Sequence, residues 1–141
     1  MNTDWTKLAY PRICGLLALR PSRLSQAMHN AAFAAEGLDF QYSAIDVEDT
    51  TAALRAMRTL GVRGFSLTVP HKERAIESLD TLSAEAKAIA AVNTVINDGS
   101  ALHGFNTDWW GVVEAFREAS WDLRGQTALI NGAGGAARAV V

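Results

Sequence analysis

The chain has 141 residues, 49% hydrophobic and 20% charged, with a formal net charge of −2. This composition excludes disorder as the main state, and the small charge gives no reason to expect nucleic acid or an anionic membrane as partner. The length suits one domain with a core and is too short for two complete α/β domains. Without a long apolar segment or a leader-like N-terminus, we expect a cytoplasmic protein with no membrane contact.

The first half of the chain alternates between predicted strands and helices. Residues 12–19 form a short apolar run typical of a buried strand, and Ser22, after a turn, is a candidate helix cap. The helix predicted over 23–36 ends at Gly37. Its apolar side chains recur at helical spacing, and we expect this face to pack on the core: Leu24, Met28, Ala31, Ala32 and Ala35.

The rest of the chain continues to alternate between segments with strand-like and helix-like spacing of apolar residues. They are a strand over 39–46, a helix over 50–60, a strand over 64–69, a short helix over 71–79, a helix over 83–90, a strand over 91–96, a return strand over 102–105, a helix over 108–119 and a strand over 127–131. Ser83 is a plausible cap, and Asp98-Gly99 is a hairpin signal.

Alternating strands and helices predict an α/β fold with a mostly parallel sheet, helices on both faces and an edge hairpin. A boundary between about residues 120 and 126 divides the chain into a first domain, 1–120, and a second segment, 121–141. We interpret the second segment as the first strand and turn of a Rossmann domain whose remainder is missing.

Three polar clusters fall at the carboxyl ends of predicted strands, where open α/β sheets place their ligand crevices. They cover residues 66–72 (SLTVPHK), 91–94 (AVNT) and 104–108 (GFNTD). Each cluster alone is weak evidence, because a lysine after a turn is usually a surface charge and Asn-Thr-Asp before a helix is an ordinary capping sequence.

The glycine-rich stretch INGAGGAARAVV follows the last predicted strand. Gly132, Gly134 and Ala137 fit the pattern G-x-G-x-x-G/A, in which glycines allow a tight turn and the close approach of a pyrophosphate to a helix N-terminus. This context favours a dinucleotide site of which the chain holds only a fragment.

Taken together and in this order, the clusters and the turn closely resemble the shikimate dehydrogenase family, from about Ile13 to the last residue. The resemblance implies a substrate-binding N-terminal domain and a Rossmann domain that binds NADP, or NAD in some members. It implies reversible reduction of 3-dehydroshikimate to shikimate, in the biosynthesis of aromatic amino acids. The isolated chain is expected to be inactive.

The resemblance also implies roles for individual residues. Lys72 and Asp108 would be the catalytic pair, since an ammonium can stabilise the oxygen anion formed at a reduced ketone and donate its proton. Thr68 and Asn93 would bind substrate hydroxyls. The residues implied to bind the cofactor are Gly132, Gly134, Gly135 and Ala137.

The stretch after the first strand departs from the family pattern. Typical members have Ser-x-Ser-Pro, whose two serines hold the substrate carboxylate, whereas this chain has Arg23-Leu24-Ser25-Gln26. Arg23 would either bind the carboxylate through its guanidinium fork or exclude shikimate; alternatively it faces solvent and Ser22 takes the missing role. Ser66 and Trp109 also replace the usual Asn and Gly, as in the shikimate dehydrogenase-like subgroup.

Two alternatives therefore stay open: a paralogue acting on quinate or another small hydroxy acid, and a non-catalytic ligand-binding fragment. A monomer or a homodimer is compatible with the sequence.

No metal site is predicted, since His29 suits a structural hydrogen bond, His71 faces away from the crevice and His103 is exposed. The lone Cys14 is interpreted as a buried, reduced thiol.

Overall fold

The computed structural model describes residues 12–141 and has an α/β fold. The expectation about a leader concerns the N-terminal residues 1–11, which lie outside the described residues. The helices and strands, in chain order, are β1 (Ile13–Ala18), α1 (Leu24–Ala35), β2 (Gln41–Asp46), α2 (Thr50–Leu60), β3 (Gly64–Leu67), α3 (His71–Arg74), a 3₁₀ turn (Ile76–Ser78), β4 (Thr81–Leu82), α4 (Ala84–Ile89), β5 (Thr94–Asn97), β6 (Leu102–Phe105), α5 (Asp108–Glu118) and α6 (Gly135–Arg138).

The six strands form one sheet in the order β2-β1-β3-β5-β6-β4. Strand β1 is parallel to both neighbours, β5 is antiparallel to β3 and β6, and β4 is parallel to β6. The sheet is thus mostly parallel, as predicted. The predicted hairpin, β5–β6, lies one strand in from the edge, because the two-residue strand β4 pairs outside it.

Successive side chains of β1 point to opposite faces of the sheet, so both faces carry apolar residues and helices cover both. Leu17 packs with Leu54 and Met57 of α2 in the larger core cluster. Leu16 and Ala18 belong to a smaller cluster on the other face, beneath α1. The prediction of helices on both faces is confirmed.

Helix α1 packs with a different face from the one predicted. Leu24 and Met28 are 77% and 60% exposed, and the alanines of the predicted face are exposed as well. The half-buried residues are instead Ser25, Gln26, His29, Asn30 and Phe33. The prediction that the apolar face of this helix packs on the core is therefore wrong.

The edge strand β2 explains this orientation. Among residues 12–141, no strand lies beside its outer edge, so its backbone groups there need other partners. Asn30 supplies two, donating from Nδ2 to the Tyr42 carbonyl over 2.9 Å and accepting from the Tyr42 N–H over 2.8 Å. The Ala44 N–H donates to Oε1 of Gln26 over 3.1 Å. Side-chain amides on α1 thus cover the sheet edge.

Helix ends show which capping predictions hold. Ser83 caps α4 by accepting from the Ala86 N–H, as predicted, and Gly61 ends α2 in the left-handed region at φ 66°. The prediction that Ser22 caps α1 is wrong: the N-cap residue is Arg23, and its side chain makes no capping hydrogen bond.

The strand predicted over 127–131 is absent from the described part of the chain. These residues are exposed and have no strand partner there, and a β-strand forms only by hydrogen bonding to a neighbouring strand. The division of the chain near residue 120 stays a prediction. Among residues 12–141, no helix has the length and apolar character needed to cross a membrane.

Candidate active site

The polar clusters meet at one edge of the sheet. Strand β3 ends at Leu67, and its antiparallel neighbour β5 begins at Thr94, which pairs with Ser66 on one side and Phe105 at the end of β6 on the other. The segments that follow β3, precede β5 and follow β6 therefore lie side by side. They carry Thr68 and Lys72, Asn93, and Asp108 respectively.

Lys72 and Asp108 are in direct contact although 36 residues separate them. Lys72 Nζ donates to Oδ2 of Asp108 over 2.6 Å, and the side chains are 18% and 27% exposed. Partial burial weakens solvent screening of this charge pair. The structure thus brings together the two residues predicted as the catalytic pair.

The Asp108 carboxylate is held on both oxygens. Asn93 Nδ2 donates to Oδ1 over 2.8 Å, while Lys72 occupies Oδ2. The Asp108 N–H donates to Oδ1 of Asn106 over 2.9 Å, at the first turn of α5, where the helix dipole favours a negative charge. The carboxylate is therefore fixed before any ligand binds.

Asn93 is buried and makes several further contacts. Its Oδ1 accepts from the Thr107 N–H over 3.1 Å and from Thr94 Oγ1 over 2.9 Å, and its Nδ2 also donates to Thr107 Oγ1 over 3.0 Å. The side chain thus joins the start of β5 to the start of α5. This second function was not predicted from the sequence.

Asn106 is a further site residue whose role was missed, because Asn-Thr-Asp was interpreted as an ordinary capping sequence. It is buried, and its Nδ2 donates to the Ala91 carbonyl over 3.0 Å. Together with its bond to the Asp108 N–H, this contact ties the first turn of α5 to the segment before β5. The signal was the asparagine's position directly after a strand.

A cleft of about 500 Å³ lies beside Lys72. Its lining includes Thr68 and Lys72 on one side and Gly134 and Gly135 on the other. Thr68 therefore faces the same space as the lysine, as a substrate-contacting residue would. The glycine-rich turn and the sequence cluster around Lys72 form two walls of one cleft.

The geometry of the turn requires glycine at two positions. Gly132 has φ 137°, a conformation that other residues rarely adopt. Gly135 is buried, and a Cβ there would lie 2.7 Å from the Cβ of Ala91 and 4.0 Å from the Lys72 side chain. At Gly134, the N-cap of α6, a Cβ would have no described neighbour within 4 Å, so that position is open. Ala137 is half-buried.

The candidate carboxylate-binding residues lie near the start of α1, after the end of β1. Strands β1 and β3 are parallel, so this segment is at the same edge of the sheet as Thr68. Ser22 and Arg23 are exposed and Ser25 is half-buried. The structure places them at the same edge of the sheet as Thr68, and within residues 12–141 no hydrogen bond or ion pair joins them to Lys72 or Asp108.

The histidines and the cysteine have structural surroundings. His29 Nδ1 bonds the Ser25 carbonyl over 2.8 Å, so the predicted structural hydrogen bond is confirmed. His71 is buried, with its Nδ1 2.7 Å from Thr50 Oγ1. His103 was expected to be exposed, but its side chain is 15% exposed because it lies between Asp98 and Thr81. Burial raises the pKa of the half-buried Cys14 thiol to about 11.

The fold and site define an α/β domain that carries a lysine–aspartate pair at one sheet edge, beside a glycine-rich turn. Residues 20–95 match the family model described as the shikimate dehydrogenase substrate binding domain. The chain therefore belongs to the shikimate dehydrogenase family.

Individual relatives agree with this assignment. The shikimate dehydrogenase (NADP(+)) of Moorella thermoacetica is 50% identical over 119 residues, covering 83% of this chain and 40% of the relative. The crystal structure of shikimate 5-dehydrogenase from Thermus thermophilus, in complex with shikimate, is 42% identical with a TM-score of 0.83, covering 92% of this chain and 50% of that one. The Listeria monocytogenes enzyme, in complex with shikimate and NAD, is 41% identical with a TM-score of 0.81, covering 92% and 46%.

The chain is shorter than these relatives. It spans 40% of the length of the Moorella enzyme and 45% of that of the related enzyme from Symbiobacterium thermophilum.

Proposed function

We propose that this chain is the substrate-binding part of an NADP-dependent shikimate dehydrogenase, which interconverts 3-dehydroshikimate and shikimate in the biosynthesis of aromatic amino acids. The observation that carries the proposal is the 2.6 Å contact between Asp108 and Lys72, the lysine that lines one cleft together with the glycine-rich turn. The family membership and the names of the relatives support it.

The pair suits the chemistry of ketone reduction. NADPH supplies the hydride when bound. The Lys72 ammonium stabilises the charge that develops on the ketone oxygen and donates a proton to it; in the reverse direction Lys72 accepts that proton. Asp108 keeps Lys72 charged and oriented, and it accepts a hydrogen bond from a substrate hydroxyl.

Thr68 and Asn93 are proposed to bind substrate hydroxyls, and the start of α1 to bind the carboxylate. Asn93 already bonds the Asp108 carboxylate, so the same side chain would contact both Asp108 and the substrate. Ser25 is the residue retained from the family pattern. Arg23 supplies a cationic fork at the same edge of the sheet, and Ser22 is the alternative if Arg23 points to solvent.

The glycine-rich turn fits a dinucleotide. Gly134 leaves its outer side open, and Gly132 adopts a backbone conformation that suits glycine. Gly132, Gly134, Gly135 and Ala137 would hold the pyrophosphate of NADP, or of NAD. A relative named for NADP(+) and a neighbour solved with shikimate and NAD support both cofactors as candidates.

The test uses a chimeric enzyme: this chain followed by the C-terminal part of the Moorella relative that lies beyond the matched segment. We expect shikimate oxidation with NADP in preference to NAD, and calorimetric binding of shikimate by the 141-residue chain alone. Quinate is the matched competitor. Turnover of quinate but not shikimate would instead support the paralogue, which the exposed Arg23 in place of a serine favours. Shikimate binding without turnover with either cofactor would support a binding fragment.

A further inference from the structure

We propose that Arg138 is a positioning residue that fixes the glycine-rich turn against the helix carrying Lys72. The inference rests on the proposed function, because it concerns where the dinucleotide lies relative to the reacting pair. Arg138 lies on α6, one residue beyond the G-x-G-x-x-A pattern, and that pattern assigns it no role.

The Arg138 guanidinium bonds three separate parts of the molecule. Its NH2 group donates to Oε1 of Glu73 over 2.8 Å, on α3 directly after Lys72. Its Nε donates to the Ile89 carbonyl over 2.7 Å, and its NH2 group to the Ala90 carbonyl over 3.1 Å. Its NH1 group donates to the Ala133 carbonyl over 2.9 Å, within the turn itself.

These acceptors suit arginine specifically. The Ile89 and Ala90 carbonyls lie at the C-terminal end of α4, where backbone acceptors lack helical partners and a cation is favoured by the helix dipole. A planar fork with five donors reaches carbonyls and a carboxylate in several directions, whereas an ammonium is a point charge.

Apolar packing holds the same junction from the other side. Ala139 is buried with Ile89 and Ala91, and Trp109 packs against this cluster. Gly135 lies so close to Ala91 that a Cβ would be 2.7 Å from it. The glycine-rich turn thus packs closely against the segment before Asn93. Through its bond to Glu73, Arg138 fixes the position of the turn relative to α3. We infer that its loss shifts the dinucleotide relative to Lys72 and leaves the substrate subsites in place.

The experiment compares Arg138→Ala, Arg138→Lys and Glu73→Gln in the chimeric enzyme, with Arg117→Ala as the matched control. Arg117 pairs only locally with Glu114 on α5 among the described ion pairs. Dissociation constants for NADPH are measured by its fluorescence and for shikimate by calorimetry, alongside kcat and melting temperature.

We expect Arg138→Ala to weaken NADPH binding at least about tenfold and to lower kcat, with shikimate affinity within about twofold of the parent. Arg138→Lys should not restore binding, and Glu73→Gln should have a smaller effect in the same direction, since it removes one of four contacts.

Unchanged NADPH affinity in folded Arg138→Ala and Glu73→Gln would overturn the inference, and a lowered melting temperature alone would reduce Arg138 to a structural role. A parent chimera that binds NADPH but does not oxidise shikimate counts against the proposed function, and the NADPH affinities still decide the role of Arg138.

Discussion

The side-chain amide of Asn93 lies 2.8 Å from Oδ1 of Asp108, on the opposite carboxylate oxygen from the one that Lys72 contacts. Asn93 in turn bonds the first turn of α5 through the Thr107 N–H. The carboxylate therefore cannot rotate without breaking a hydrogen bond to a buried group. This arrangement makes Asn93 a determinant of the lysine–aspartate geometry as well as a candidate substrate ligand.

We predict that Asn93→Ala in the chimeric enzyme lowers kcat about tenfold to a hundredfold, because Asp108 loses its orienting donor. It should also destabilise the chain by about 1–3 kcal/mol, since buried partners of the amide lose their hydrogen bonds. Asn97→Ala is the control: Asn97 is also buried and bonds the Met57 and Val62 carbonyls, away from the pair. Urea unfolding and steady-state rates separate the two effects. Equal kcat losses in both variants would contradict the orienting role.

Removing the ammonium should abolish most turnover without unfolding the protein. We expect Lys72→Ala to reduce kcat by about 10²–10⁴, the usual contribution of a positioned acid–base group. Folding should be largely spared because Asp108 keeps its contacts with Asn93 and Asn106. Lys87→Ala, on the exposed side of α4, is the matched control. A Lys72→Ala enzyme with parental rates would remove this lysine from the mechanism.

Acid should weaken the hairpin through Asp98. The hydrogen bonds from His103 and from the backbone N–H groups of Ser100 and Ala101 lower the pKa of this carboxyl below its usual value. Because the folded-state pKa lies below the unfolded one, the stabilisation is present above about pH 4 and is lost as pH falls through the folded pKa. Asp98→Asn should therefore lower the melting temperature at pH 7 and flatten its decline below pH 4.

Melting curves between pH 7 and pH 2 check this expectation, with Glu118→Gln, an exposed carboxyl at the end of α5, as the control. If Asp98→Asn and Glu118→Gln show the same decline as the parent chain, the hairpin carboxyl does not govern acid stability.

Local periodicity was sufficient to predict most elements, because the spacing of apolar residues reflects which face of a helix or strand is buried. It could not predict β4, which has only two residues and exists through its pairing with His103 and Gly104. In the site, composition and spacing marked the three polar clusters, but only the family resemblance joined Lys72 to Asp108. The contact between Arg138 and Glu73 spans 65 residues and depends on tertiary packing that no sequence period encodes.

The orientation of α1 is the clearest case in which a long-range requirement overrides an apolar stripe. Leu24 and Met28 obey helical spacing but remain exposed, because the amides on the other face satisfy the backbone of the edge strand β2. Burying the apolar stripe would leave those backbone groups without these partners, and an unsatisfied buried group costs about 1–3 kcal/mol. Hydrogen bonding at a sheet edge thus outweighs the burial of two side chains.

This argument predicts opposite outcomes for two changes on the same helix. Asn30→Ala removes both hydrogen bonds to Tyr42 and should lower the free energy of unfolding by about 1–3 kcal/mol. Met28→Gln, on the exposed face, should change it by no more than about 0.5 kcal/mol. Ala and Gln are both good helix formers, so helix propensity contributes little to the comparison. Urea unfolding of the 141-residue chain measures both values. A larger loss for Met28→Gln than for Asn30→Ala would mean that the apolar stripe, and not the amide face, holds α1 to the sheet.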